Sequence, residues 1–169
     1  MQILTTALFA ITVLTATMPG GRLVAQDSNN LVGTWKLVSA STSTAKGEKN
    51  DNPYGQNPVG FLTYTADGRM SVIITEDARK PLSVADRVAA PVEERAAAFA
   101  TLLAYAGRYT LGGDKVIHHV EAASIPNWVG MDLVRTLEFR GEQLILRTPP
   151  ITLSAKTVTA ELVWKRVNQ

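Results

Sequence analysis

Two adjacent histidines, His118 and His119, carry the side chains of this chain that are best suited to acid–base chemistry near neutral pH. They lie in VIHHVEAASIPNWVGMDLVRTLEF, residues 116–139, which has the pattern of two strands joined by a turn. Because successive side chains of a strand point to opposite faces, the two rings diverge. His118 shares its face with two valines, which predicts an interior position. His119 shares the opposite face with Glu121, which predicts an exterior one.

For His118 the sequence leaves two interpretations open. In the first, the ring is a core side chain whose nitrogens are satisfied by neighbouring groups, as buried polar groups normally are. In the second, it lies in a pocket, where it hydrogen-bonds a ligand or moves a proton. No metal site is predicted, because adjacent strand histidines cannot share one ion, and the chain has two histidines and no cysteine. A mixed site of His119 and Glu121 lacks a typical ligand spacing, and no cofactor is predicted.

The second polar residue in an apolar setting is Arg135. It shares one strand face with Leu133, Leu137 and Phe139, which predicts that its guanidinium enters the interior and needs an acidic or carbonyl partner. There it can clamp a carboxylate or another polar head group of a ligand. Alternatively, it lies at one end of the structure, where it reaches solvent or stacks on a tryptophan. Since consecutive strands usually pair, we expect Arg135 to lie near His118 and to lower the pKa of that histidine by like-charge repulsion.

Aromatic and amide side chains supply the remaining candidates for ligand binding. The segment SIPNWVG places Asn127 and Trp128 at the rim, where a tryptophan either caps a cavity or seals a solid core, and its Pro-Asn pair disfavours helix and strand alike. Tyr64 and Tyr109 are further candidates, because a phenol in the interior adds a hydrogen-bond donor. Tyr54 lies in a turn-rich loop, DNPYGQNPVG, over one of the two mouths.

The composition limits the class of protein and its partners. The chain has 169 residues, 46% of them apolar, which fits one domain with a substantial core. The formal net charge is +2, with 17 basic and 15 acidic residues and no long basic run, so nucleic acid is not an expected partner. There is no cysteine, no glycine-rich phosphate loop and no Gly-X-Ser-X-Gly sequence, which disfavours thiol, nucleotide and esterase-type chemistry.

The first 25 residues have the features of a secretory signal peptide. Residues 3–18 are uncharged and mostly apolar or threonine, a Pro-Gly-Gly breaker follows, and Ala25 offers a small residue before the cleavage point. The apolar run is short for a membrane span, which needs about 20 residues. We therefore predict a signal peptide at 1–25 and a mature domain at 26–169 that is secreted or periplasmic, with no stable membrane insertion after cleavage. An uncleaved membrane anchor is the alternative.

The rest of the chain is organised mainly as strands. Hairpin signals at Asp67-Gly68, Gly112-Gly113 and Arg140-Gly141 separate segments that alternate in polarity. Residues 91–106, PVEERAAAFATLLAYA, interrupt them with apolar residues at helical spacing, and we expect this helix to act as a flap. Because closing an antiparallel sheet removes both exposed edges, we predict an all-β fold, an eight-stranded antiparallel up-and-down barrel with a helical insert between strands 3 and 4. The predicted strands are residues 31–41, 59–65, 69–75, 107–111, 114–122, 132–139, 143–148 and 157–166.

The opening LVGTWKLVS and the closing LVWKRV resemble the Gly-X-Trp strand and the terminal strand of calycins, which include lipocalins and fatty-acid-binding proteins. With NPYGQNPVGFLTYTADGRMSV, AYAGRYTL and VIHHVEAASIPNWVG, they make residues 31–166 similar to the bacterial and fungal lipocalin-like domain family. The resemblance implies a barrel with Trp35 buried at one end and room for side chains or one small ligand. Two functions remain open: an exported barrel that binds a small hydrophobic molecule with a polar or anionic head group, or a barrel enzyme of the isomerase or cyclase type that uses His118.

Overall fold

The computed structural model describes residues 30–153 and 155–167, which form a ten-stranded antiparallel sheet. The predicted signal peptide, residues 1–25, lies outside the described residues. A helix, α1 (Val92–Ala100), and a 3₁₀ turn, Pro126–Trp128, interrupt the strands. The strands are β1 (Gly33–Thr44), β2 (Lys49–Asn50), β3 (Val59–Tyr64), β4 (Arg69–Thr75), β5 (Leu102–Gly112), β6 (Lys115–Ala123), β7 (Asp132–Arg140), β8 (Gln143–Arg147), β9 (Ile151–Leu153) and β10 (Lys156–Arg166).

The sheet closes on itself into a barrel. The strand order is β2-β1-β3-β4-β5-β6-β7-β8-β10-β9, and β1 also pairs with β10, from Trp35 opposite Arg166 to Thr44 opposite Val158. Eight strands therefore form the barrel wall, namely β1, β3 to β8 and β10, while β2 and β9 extend β1 and β10 beyond it. The eight-stranded antiparallel barrel predicted from the hairpin signals is confirmed.

The helical insert differs from the prediction in place and in length. It lies between β4 and β5 and not between strands 3 and 4 as predicted. The strand count differs by one because the two-residue strand β2, Lys49–Asn50, precedes the helix and is too short and polar to give a strand signal. The helix ends at Ala100, whereas the sequence pattern predicts helix to residue 106. Residues 102–106 belong to β5 and pair with β4. Pairing with the sheet and side-chain burial override the helical periodicity of this segment.

Helix α1 lies on the outside of the barrel. None of its residues is buried, and Phe99 is 54% exposed. The helix contributes no side chain to the cavity described below, so the expected flap over the interior is not observed. Among the described residues, no helix is long and apolar enough to cross a membrane.

A bulge between β5 and β6 sets the alignment of these two strands. The pairing register shifts between Ala106 and Gly107, and beyond this point Tyr109 lies opposite His118. A Cβ atom at Gly107 would lie 1.9 Å from the carbonyl oxygen of His119. The two backbones can therefore approach this closely only because residue 107 is glycine.

One end of the barrel is packed around Trp35. This side chain is buried, as predicted, and its indole N–H donates to the carbonyl oxygen of Leu31 at 2.9 Å. The guanidinium carbon of Arg166 lies 4.2 Å from the ring centroid, in the geometry of a cation–π contact. Among the described residues, the arginine that stacks on Trp35 is Arg166 and not Arg135.

Candidate functional site

The barrel interior contains a small cavity with a free volume of about 70 Å³. Much of the lining is aliphatic and comes from six strands of the sheet. This volume is below the roughly 300–1,000 Å³ of typical small-molecule pockets, so a bound molecule of that class requires lining side chains to move. Among the described residues, the interior is therefore mostly filled by side chains and keeps a small space. The lining side chains with polar atoms are Tyr54, Tyr105, His118, Trp128, Arg135, Thr148 and Trp164.

His118 lies at the centre of a buried chain of hydrogen bonds. Its side chain is 1% exposed, which confirms the predicted interior position. The hydroxyl of Tyr64 lies 2.7 Å from Nε2, and the hydroxyl of Tyr105 lies 2.9 Å from Nδ1. Both ring nitrogens are thus satisfied by tyrosines, as in the first of the two interpretations, although the ring also borders the cavity.

The environment of His118 keeps its ring neutral. Burial in the barrel, followed by the positive charge of Arg135 and by His119, lowers the pKa of His118 from 6.5 to about 3. The predicted effect of Arg135 is therefore present, but removal of the ring from water is the larger cause. A neutral imidazole has one N–H donor and one acceptor nitrogen, so His118 donates to one tyrosine and accepts from the other.

Arg135 brings a positive charge to the cavity wall. It is half-buried on the inward face of β7, and its Nη1 donates to the carbonyl oxygen of Val134 at 2.8 Å. No aspartate or glutamate is among the described residues that line the cavity, and Arg135 forms no salt bridge with the described part of the chain. The guanidinium therefore faces the cavity without a carboxylate from these residues.

The phenol groups near the charge of Arg135 are protonated. Burial raises the pKa of Tyr54 to about 12, and it raises the pKa values of Tyr64 and Tyr105 as well. The charge of Arg135 opposes each of these increases without reversing it. Near neutral pH all three hydroxyl groups therefore remain hydrogen-bond donors. Tyr54 lines the same cavity as Trp128.

Trp164 contributes an indole donor that has no partner. The residue is 1% exposed and lines the cavity, and within residues 30–153 and 155–167 its Nε1 has no hydrogen-bond acceptor. Buried donors normally have partners, because leaving one unsatisfied costs about 1–3 kcal/mol. An acceptor atom on a molecule in the cavity would remove this cost.

The sequence reasoning missed three polar lining residues, Tyr105, Thr148 and Trp164. Tyr105 was assigned to the predicted helix, although residues 103, 105, 109 and 111 carry large apolar or aromatic side chains at the period of two that is typical of a strand. Trp164 was assigned only to the closing strand. The alternation along this strand puts Trp164 on the same face as Leu162 and Arg166. Nothing in the sequence indicates that the indole N–H of Trp164 lacks a partner.

The remaining predicted site residues take different positions. Trp128 lines the cavity and meets Tyr105 edge-on, with ring centroids 5.6 Å apart. Tyr64 lies behind His118, outside the lining, and Tyr109 packs on Tyr64 and donates to the carbonyl oxygen of Thr65 at 3.1 Å. Asn127 is exposed and does not line the cavity. The reason is that residues 126–128 form a 3₁₀ turn, contrary to the expectation that Pro126 resists helix, and this turn directs only Trp128 inward.

His119 belongs to a separate network on the outer surface. Its Nδ1 lies 2.6 Å from Asp132 and its Nε2 lies 2.9 Å from the hydroxyl of Thr110, so the exterior position is confirmed. Glu121 pairs with Arg69 and Arg108 instead of with His119. Within the described ranges, no group of three His, Asp or Glu side chains could hold a metal ion.

Comparison with known proteins agrees with this geometry. The model of a family described as "lipocalin-like domain" matches residues 32–167. A protein from Aspergillus oryzae (strain ATCC 42149 / RIB 40), named 4'-hydroxy-3'-methoxypropiophenone carrier protein ppsC, is 34% identical over 84 residues. The match covers 44% of this chain and 76% of the relative.

Proposed function

The chain belongs to the lipocalin-like domain family, and we propose that it binds and carries one small, largely apolar molecule that has a polar or anionic end. The observation that carries this proposal is the charge of Arg135 on the wall of an otherwise mainly aliphatic cavity, with no carboxylate among the described lining residues. An anionic or polar oxygen of the ligand would take the place of the carboxylate that the described lining residues do not offer to the guanidinium. The aliphatic side chains would cover the rest of the molecule.

The name of the fungal relative supports the same chemistry. It is named as a carrier of 4'-hydroxy-3'-methoxypropiophenone, a substituted aromatic ring with a ketone. Such a molecule combines a flat apolar body with oxygen atoms that accept hydrogen bonds. The cavity offers aromatic side chains, Tyr54, Tyr105 and Trp128, for the ring and Arg135 for an oxygen. We therefore propose aromatic molecules with a carbonyl, carboxylate or phenolate group as the ligands to test first.

Acid–base catalysis by His118 has less support than carriage. Both ring nitrogens already bond to buried tyrosines, and a pKa of about 3 keeps the ring unprotonated at neutral pH. A general acid or base works best with a pKa near the operating pH. We further propose that the carrier is exported, on the basis of the apolar segment at residues 3–18 and Ala25.

The test of the proposal is ligand titration of Arg135→Leu. Anilinonaphthalene sulfonate, an anionic fluorescent aromatic molecule, serves as the probe, and 4'-hydroxy-3'-methoxypropiophenone serves as the competitor. Leucine fills apolar space without a charge, so the barrel should remain folded. Loss of a charge-assisted hydrogen bond of about 1.5–3 kcal/mol should weaken probe binding roughly ten- to a hundredfold.

Arg140→Leu provides the matched control. Arg140 lies on the same strand β7, is exposed, and pairs with Glu138 on the outer surface. Its replacement removes the same charge from the protein and should leave probe affinity unchanged. Equal affinity of the parent and of folded Arg135→Leu would refute the assigned role of Arg135.

A further inference from the structure

We infer that Tyr64, His118 and Tyr105 form a hydrogen-bond relay with one direction, which ends in the Tyr105 hydroxyl as a donor to the ligand. The cavity then selects a carbonyl or carboxylate over an alcohol or ammonium group of the same shape. This inference rests on the proposed function, because it names the chemical class that the same cavity accepts.

The direction of the relay follows from the burial of Tyr64. This residue is 1% exposed, and the hydrogen bond found for its hydroxyl in the described chain is the one to His118 Nε2. If Nε2 carried the proton, Tyr64 would accept, and its own O–H would be a buried donor without a partner from these residues. Buried polar groups are rarely left in that state. Tyr64 therefore donates to Nε2, and the neutral ring carries its proton on Nδ1.

The second step transfers this direction to Tyr105. With Nδ1 protonated, His118 donates to the Tyr105 hydroxyl oxygen across 2.9 Å. Tyr105 thus uses an oxygen lone pair for His118 and keeps its own O–H free, since no further acceptor for it is found in the described chain. Unlike Tyr64, Tyr105 lines the cavity. Its remaining proton is therefore available to a molecule bound there.

The rest of the lining offers mainly donors as well. The guanidinium of Arg135 and the partnerless Nε1 of Trp164 join the Tyr105 hydroxyl, while the Thr148 hydroxyl already accepts from the amide of Ala160 at 2.9 Å. A ligand end that only accepts can satisfy these groups. An alcohol adds a hydroxyl donor for which the cavity lining has few acceptors. An ammonium group adds donors as well, and it is also repelled by the charge of Arg135.

The relay direction can be measured without any ligand. In protein labelled with ¹⁵N-histidine, long-range ¹H–¹⁵N correlation spectra distinguish the two neutral tautomers, and the variant His119→Gln assigns the His118 signals. We expect the Nδ1–H tautomer at neutral pH. In the variant Tyr64→Phe, the Nε2 shift should change because its donor is lost, while Tyr109→Phe, which removes a hydroxyl that bonds outside the relay, should leave it as in the parent. An Nε2–H tautomer in the parent would overturn the inference.

The ligand half of the inference is tested with three molecules that share one carbon skeleton: propiophenone, 1-phenylpropan-1-ol and 1-phenylpropan-1-amine. Calorimetry should rank the ketone first and the amine last. Tyr105→Phe should weaken ketone binding roughly two- to tenfold, the effect of one neutral hydrogen bond, and should change alcohol binding less. Equal binding of ketone and alcohol by the parent would overturn the selectivity. If the spectra show Nδ1–H but no probe binds, the relay stands, and the ligand half is overturned together with the proposed function.

Discussion

At the scale of the residue, the polar side chains of the cavity stabilise one another by hydrogen bonds and not by neutralising charge. His118 is unprotonated between two phenols, whereas Arg135 keeps its charge without a carboxylate from the described lining. A neutral buried ring with both nitrogens bonded costs little, while a charged one beside an arginine would be costly. The arrangement therefore keeps His118 unprotonated at neutral pH. It also makes the stability of the barrel decrease as the pH becomes acidic.

Acidification should destabilise the fold through His118. Its pKa is about 3 in the folded protein and 6.5 ordinarily, so between these values the unfolded chain binds the additional proton. The stability that neutral His118 contributes is fully present above its ordinary pKa of 6.5 and is lost as the pH falls towards its folded pKa of about 3. The slope should reach at most about 1.4 kcal/mol per pH unit, measured by urea unfolding between about pH 4 and pH 7.

Two variants separate this effect from the titration of the carboxylates. His118→Gln keeps a donor and an acceptor but does not titrate, so its stability should depend less on pH than that of the parent. Val116→Ala removes a buried side chain from the same face of β6 and should lower the free energy of unfolding without changing its pH dependence. Identical slopes for the parent and His118→Gln would contradict the assigned protonation.

The sequence predicted the faces of these residues better than their partners. Alternation along a strand was sufficient to place His118 and Arg135 inside and His119 outside. It does not indicate which strands face each other across a closed barrel, and Tyr64 is separated from His118 by 54 positions. The relay could therefore be found only once the barrel was closed.

At the scale of the element, the hairpins were predictable and the junction of α1 with β5 was not. Turn residues such as Asp67-Gly68 have a strong local preference, and Gly68 has φ of +82°. The alanine-rich segment before Gly107 is compatible with helix as well as strand, so its pairing with β4 decides the outcome. The same segment carries Tyr105, so one error about an element also removed a residue from the predicted site.

Replacing Gly107 with alanine should disturb the bulge between β5 and β6. The new Cβ would lie 1.9 Å from the carbonyl oxygen of His119, and the strands must separate to admit it. We expect a loss of about 1–3 kcal/mol in the free energy of unfolding, the usual cost of overpacking, as measured by urea denaturation. Gly112→Ala on the same strand is the control, because nothing lies within 4 Å of its added Cβ, and its effect should stay within about 0.5 kcal/mol. Equal stability of the two variants would show that the close approach at Gly107 is not required.

At the scale of the whole molecule, closure by β1 and β10 leaves one end packed around Trp35 and a small cavity in the interior. Trp35 and Arg166 pack at one end, while Tyr54 and Trp128 border the cavity. The count of strands and turns predicted closure, because eight antiparallel strands expose no edge once joined. It did not predict the size of the interior cavity, because the free volume depends on how all the inward side chains fit together.

The last prediction concerns the chain before the barrel. The wall begins with β1 at Gly33, and among the described residues the pairing of β1 with β10 closes the sheet. Removal of residues 1–25 should therefore leave closure intact, and the apolar segment at residues 3–18 is available to direct export. We expect protein secreted by its native host, or recovered from the periplasm, to begin near Gln26, as determined by intact mass and N-terminal sequencing. A variant with Ala25→Arg should accumulate uncleaved, because the cleavage site requires a small residue. Soluble protein that retains Met1 in the cytoplasmic fraction would refute the predicted export.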